Sequence, residues 1–277
     1  MKRKNALTGG KDRPFAARRA ALSVVLAASL AMLSAAACRV ETPEATPDAR
    51  FVTQQNEPNC GGYTTVYYQW LKQGKYTAGD ATTERAFIGT VYDQITFGVY
   101  DNNGHTGDGY AHTFGAVFPG IENGANPARM IKYLQSVGLD GGVFYLEPAK
   151  NDQQNYPINY AFHQIFNFTK GYEASLLTEI GGEAARVRDA VIPDLAPYQY
   201  AIGIYVVFDN VTKLGQGELS GLHYVLFHHN GDRLVYYNPW DGYPKPAYYE
   251  QLLSNGEPIV SEGGRILVPT SSGILLP

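Results

Sequence analysis

Cysteine is almost absent from this chain: 277 residues hold two, Cys38 and Cys60. One closes a leader-like segment and the other stands alone, so no internal disulfide framework is available and the fold must rest on a buried core. Basic charge is scarce once the first 37 residues are set apart. Seven of the 22 Lys and Arg fall there, against one of the 26 Asp and Glu, which leaves 15 basic and 25 acidic residues and a net charge of −10. A surface of that sign excludes phosphate-backbone binding, so no nucleic acid is expected as a partner. Long apolar runs are confined to Ala20–Ala37, and no internal repeat is evident. A metal-ligand framework is also missing. Asp101, His105, Asp108 and His112 share a Gly-rich stretch, but their spacing fits no ligand set and suits ordinary loop chemistry, so no metal and no cofactor are expected.

The single apolar run follows Lys2, Arg3, Lys4, Lys11, Arg13, Arg18 and Arg19 and ends in small residues before Cys38, which is the order of an export signal. The Pro-containing continuation "RVETPEATPDAR" argues against a retained membrane span. The junction "AAAC" resembles a lipoprotein processing site, with Ala35 where Leu is usual. Cleavage before Cys38 would leave a lipidated cysteine on a flexible tether. Ordinary processing at the Ala35 and Ala37 pair is the other outcome. The expected organisation is an export signal over 1–37, a lipoprotein-type tether over 38–53 and one domain over 54–277. Residues 39–53 are too few for a prodomain that covers a cleft. The expected location is periplasmic, cell-surface or secreted, with the membrane reached only through Cys38.

A lone free thiol is a liability in an oxidising compartment unless it is used. In "TQQNEPNCGGYTTVYYQWL" the apolar residues Tyr63, Val66, Tyr67, Trp70 and Leu71 line one face of a helix. Asn59 is the expected cap and Gly74 the expected stop. The helix is therefore expected to begin close to Cys60, with the sulfur over unpaired backbone N–H groups at the positive end of the dipole. This placement predicts a thiol pKa below the free value. The dipole supplies only about 1 kcal/mol, so a histidine must supply the rest.

Among six histidines, His223 has the informative setting. "GLHYVLFHHNGDRLVYYNPWDG" reads as two strands joined at Asn230-Gly231. His223 opens the first and Asn238 closes the second, so a hairpin makes them neighbours. His228 and His229, close to the turn, are expected to be exposed. Ala196–Asn210 contains a buried-type strand expected beside that of His223. Glu173–Ala190 reads as one or two short helices, and Asn123–Leu139 as a helix capped by Asn126 with Pro127 in its first turn. The 21 tyrosines are expected mainly as half-buried sheet residues.

Cys60, His223 and Asn238, in that chain order, resemble a papain-like cysteine peptidase, most of all the bacterial double-glycine-peptidase-like branch. Gln54 precedes "NCGG" by the family's interval, and "GLHYVLFHHNGDRLVYYNPWDG" is similar to its His and Asn/Asp-Pro strands, with Leu222 inserted after Gly221. The Asn238-x-Trp240 pattern is similar to that of papain, where an indole shields the His and Asn contact. The chain departs in reading Gly-Gly-Tyr after Cys60, and in an insertion placed near residues 101–120, read as a substrate-covering loop. The resemblance implies an α+β fold, a helical part whose nucleophile helix packs on an antiparallel sheet. It implies Cys60 as nucleophile, His223 as general acid and base, Asn238 as the group orienting the imidazole, and Gln54 with the Cys60 N–H as the oxyanion hole. Trp240 and Asp241 would stand in support, Asp241 being the rival to Asn238. The activity implied is cleavage of peptide or isopeptide bonds in a peptide or protein substrate. A transglutaminase-like acyltransferase or deamidase would use the same triad, and a non-catalytic envelope lipoprotein could keep the fold as a binding module.

Overall fold

The structure is a computed structural model that describes residues 45–55, 59–96, 124–140, 142–146, 154, 184–185, 198–209, 218–252, 258–261 and 263–277. The chain divides into two compact units at Thr42/Pro43, and every described residue belongs to the second. The leader, Cys38 and the loop at 101–120 lie outside the described residues. Among those described, no helix is long and apolar enough to cross a membrane.

Three helices, α1 (Cys60–Lys72), α2 (Ala81–Ile95) and α3 (Pro127–Ser136), precede the sheet. The strands are β1 (Val143–Leu146), β2 (Ala184–Ala185), β3 (Tyr200–Asp209), β4 (Glu218–Asn230), β5 (Arg233–Tyr237), β6 (Pro244–Pro246), β7 (Ile259–Val260) and β8 (Ile266–Leu276). Their order is β2-β1-β8-β3-β4-β5-β6, with β7 on β8, antiparallel throughout except for the parallel pair β1–β2. The molecule is thus α+β. The two described residues inside Glu173–Ala190 are strand rather than helix, because they pair with Phe144 and Tyr145.

Helix ends follow local chemistry. The Asp80 carboxylate accepts the Thr83 N–H at 2.8 Å and starts α2, and the Asn126 side chain accepts the Ala128 N–H at 2.9 Å and starts α3, with Pro127 in the first turn. Helix α1 is different. Its apolar stripe predicts one buried face, yet every residue from Cys60 to Leu71 is buried. The polar residues are tolerated because they are satisfied within the protein. Thr65 donates to the Gly61 carbonyl at 2.7 Å, Thr64 reaches the Cys60 and Gly61 carbonyls, and Gln69 accepts the Tyr133 hydroxyl at 2.8 Å.

The sheet's two faces build two cores, as strand alternation requires. Ile202, Ile204, Tyr224, Leu226, Tyr237 and Ile274 face α1, while Ala201, Tyr205, Val225, Phe227, Tyr236 and Leu275 form the core of the other face. Several tyrosines are fully buried rather than half-buried, and they anchor by hydroxyl: Tyr67 donates to Val52 O at 2.6 Å and Tyr205 to Gln251 O at 2.5 Å.

The domain boundary at residue 53 falls inside the packed body, so the tether reading needs correction over 45–53. Thr46 N–H donates to the Asn230 side chain at 2.6 Å, Arg50 N–H to Tyr76 O at 2.8 Å and Phe51 N–H to Gly242 O at 2.7 Å. Phe51 stacks on Tyr67 at 4.5 Å and meets Trp70 and Tyr237. The polar composition before residue 50 hides the two apolar residues, Phe51 and Val52, that lock the segment in place.

The hairpin carries a shift of one residue. Asn230 pairs with Arg233, so the turn residues are Gly231, at φ 67°, and Asp232, and Asn230 stays in β4. His228 is buried, 3% exposed, with its ring stacked on Tyr200 at 4.4 Å, and burial pushes its pKa down to about 4. The expected exposure fails because Tyr200 of β3 covers the ring. His229, on the other face, is half-buried.

Candidate active site

Cys60 is the first residue of α1 and is 8% exposed. The Asn59 carbonyl accepts the Gly62 and Tyr63 N–H groups at 2.9 and 3.2 Å, but its side chain makes no capping hydrogen bond. Gly61 and Gly62 let other elements close on this first turn. A Cβ at Gly61 would stand 2.3 Å from that of Ala125, and one at Gly62 would stand 3.0 Å from that of Tyr92. From the sheet side Tyr224 spans the same place, its hydroxyl donating to Ala125 O at 2.6 Å. The sulfur itself rests against backbone N–H groups, first that of Tyr224.

His223 immediately precedes Tyr224 in β4, so the peptide that meets the sulfur is the one joining these two residues. Consecutive strand residues face opposite ways, and the imidazole turns toward the segment that follows β5. There its Nε2 lies 3.0 Å from Asn238 Oδ1, and its ring stacks on Trp240 with centroids 3.8 Å apart at 19°. The Trp240 N–H donates to the same Asn238 oxygen at 3.0 Å, which fixes the amide orientation. An oxygen that only accepts requires Nε2 to carry the hydrogen, leaving Nδ1 as the basic nitrogen. On the far side of Trp240 the Arg265 guanidinium sits 4.8 Å from the ring centre and is held by Asp209 at 3.0 Å.

The turn after β5 is built by Asn238, whose carbonyl accepts the Asp241 and Gly242 N–H groups, both at 2.9 Å. Asp241 turns its carboxylate to Lys245 at 2.7 Å, in an ion pair largely shielded from water. Of the two rivals, Asn238 is therefore the residue on the imidazole. Gln54 is brought to the same turn by its backbone N–H, which donates to Pro239 O at 2.8 Å. Gln54 is half-buried and its neighbour Gln55 is exposed.

Burial dominates the electrostatics. It pushes the Cys60 thiol up from 9.0 to about 11, against the lowering effect of the Tyr224, Gly61 and Cys60 N–H groups. It pushes His223 down from 6.5 to about 3; the Asn238 bond opposes that shift and the Arg265 charge adds to it. The resting pair is thiol and neutral imidazole. The expectation of a lowered thiol pKa is thus overturned: a rise of two units is worth about 3 kcal/mol, more than the roughly 1 kcal/mol of a helix dipole. Among the described residues no hydrogen bond joins the sulfur to the imidazole.

Tyr224, Tyr92 and Arg265 escape a reading of the sequence. Tyr224 has the one available signal, adjacency to His223. Among the described residues no group of three His, Cys, Asp or Glu could hold a metal ion, and the Asp101 to His112 cluster lies outside them. No family model, curated protein or solved structure matches the chain.

Proposed function

We propose that the chain is an exported papain-like thiol hydrolase that cleaves peptide or isopeptide bonds, with Cys60 as nucleophile, His223 as general base and acid, and Asn238 orienting the imidazole. The observation that carries this reading is the buried His223–Asn238 bond under Trp240, on a strand whose next N–H meets the sulfur of Cys60.

Each residue has a task suited to its place. As the sulfur attacks a carbonyl carbon, its proton passes to His223 Nδ1, and the carbonyl electrons move to oxygen. The Cys60 N–H and the Gln54 carboxamide receive that oxyanion, where a lost donor costs about 3 kcal/mol. The C–N bond then breaks as the imidazolium protonates the leaving amine, giving a thioester that water hydrolyses. Asn238 holds the ring in the required tautomer throughout. Because the pair starts neutral, charge appears only along the reaction path, where these donors stabilise it selectively.

The test is a peptidyl epoxide applied to the purified chain, together with mass spectrometry of a peptide library incubated with it. Labelling of the Cys60 peptide that disappears in Cys60→Ala and falls in His223→Ala, with new peptide ends in the library, is expected. Adding a primary amine separates hydrolysis from acyl transfer, since a transferase yields amide adducts instead of free acids. Neither label nor product would leave only a binding module. The proposed anchor at Cys38 has its own check: Cys38→Ala should release the protein from the detergent phase or stall its processing.

A further inference from the structure

Trp240 covers the His223–Asn238 contact from the turn after β5, and it is only half-buried. Its backbone is fixed, because the Trp240 N–H donates to Asn238 Oδ1 at 3.0 Å, but that bond does not hold the indole over the imidazole. A ring has two faces, and His223 occupies one of them with centroids 3.8 Å apart. The Arg265 guanidinium lies over the other, 4.8 Å from the ring centre, within reach of a cation–π contact. The fold holds that guanidinium in place. Phe208 of β3 pairs with Ile266 of β8, so one residue further along this antiparallel register Asp209 comes opposite Arg265, and their side chains form an ion pair at 3.0 Å. The Arg265 backbone is tied to Ser261 twice, its N–H donating to Ser261 Oγ at 3.1 Å and its carbonyl accepting the Ser261 N–H at 2.9 Å. Gly264, at φ 75°, supplies the turn that brings Arg265 to the start of β8.

We propose that Arg265, pinned by Asp209, is a positioning residue that clamps the Trp240 indole onto His223. The stack runs from the imidazole of β4, through the indole of the turn after β5, to the guanidinium beside β8 and the carboxylate that ends β3. Each layer is held by the next. Without the outer cation the indole swings out on its side-chain torsions, water reaches the bond between the imidazole and Asn238, and the ring loses its fixed tautomer and orientation. Arg265 acts through the indole and carries out no step of the reaction itself. The inference rests on the thiol-hydrolase reading for its effect on turnover, but the clamp is a property of the free protein.

The experiment is fluorine NMR of the full chain labelled with fluorotryptophan. The chain has two tryptophans, and Trp70, 5% exposed in the core, is the internal reference for Trp240. In Arg265→Ala the Trp240 line should gain the shift between light and heavy water that marks an exposed indole, while the Trp70 line stays put. The pKa of His223, read from the imidazole resonance that His223→Phe lacks, should rise from about 3 by about one unit, since water and the loss of a nearby cation both favour the imidazolium. With a cleaved peptide, kcat should fall about tenfold and KM should change little, a part of the roughly hundredfold loss that a misplacement of about 1 Å can cause. Arg265→Lys keeps a cation and should restore part of each. Melting should change little, because Arg265 is exposed. Arg233→Ala is the control: it removes another exposed ion pair, to Asp48 at 3.1 Å, and should leave both NMR signals alone. An unchanged Trp240 line or imidazole pKa in Arg265→Ala, or the same changes in Arg233→Ala, would overturn the proposal. Movement of both signals in Arg265→Ala alone, in a protein that cleaves no peptide, supports the clamp and counts only against hydrolysis.

Discussion

The ionisation of Cys60 is where the structure departs most from what its helix-start position suggests. Burial raises the thiol from 9.0 to about 11. At pH 7 the folded protein then holds about one thiolate in ten thousand molecules, against about one in a hundred after unfolding. The perturbation is pH, and the assay is the rate of iodoacetamide modification at the Cys60 peptide, native and in denaturant. Because burial also slows access, the midpoint is diagnostic and the absolute rate is not. The denatured chain should titrate near 9 and the native chain about two units higher. The shift has a stability consequence of definite sign. A folded pKa above the unfolded one gives stability that is complete below pH 9 and is lost as pH rises to about 11, amounting to about 3 kcal/mol. A native midpoint at or below about 8.5 would contradict control by burial and restore a preformed thiolate–imidazolium pair. Turnover, if the neutral pair is right, should still be climbing at neutral pH.

His223 should make the protein acid-sensitive. Its pKa falls from 6.5 to about 3 on folding, so its contribution is complete above pH 6.5 and is lost as pH drops toward 3. Denaturant unfolding at pH 7 and pH 4 should differ by about 3 kcal/mol more in the wild type than in His223→Phe. Asn238→Ala should lower turnover by about tenfold or more through loss of ring orientation, with melting run alongside to exclude unfolding. Asn238→Asp should keep much of the activity, because Oδ1 makes the bond to the imidazole while Nδ2 has no partner to lose. Asp241→Asn should cost the ion pair with Lys245 and little turnover; collapse of activity there, with Asn238→Ala near wild type, would move the orienting role to Asp241. Phe51→Ala should destabilise the domain by about 3–5 kcal/mol, since the ring is 5% exposed between three aromatic neighbours. A change under about 1 kcal/mol in chemical denaturation would show that residues 45–53 are a tether after all.

Local rules decide a good part of this chain from its residues alone. A start of α1 close to Cys60, the capping of α3 by Asn126, a strand within Ala196–Asn210 and the β4–β5 hairpin follow from periodicity, capping and turn chemistry within a dozen or so residues. The approach of His223 to Asn238 is legible for the same reason, because a hairpin needs no distant partner. Everything that depends on surfaces meeting from far along the chain is settled by the tertiary structure. Phe51 is not readable as core because its neighbours, Trp70 and Tyr237, belong to a helix and a strand that come together only in the fold. His228 is buried by Tyr200, Trp240 is backed by Arg265, and Gly62 receives Tyr92, each across a separation that sequence pattern does not span. Most of all, the sign of the Cys60 shift belongs to the fold. A helix dipole is a local property of the backbone, whereas desolvation is set by how many elements close over the sulfur, and at Cys60 desolvation outweighs the dipole.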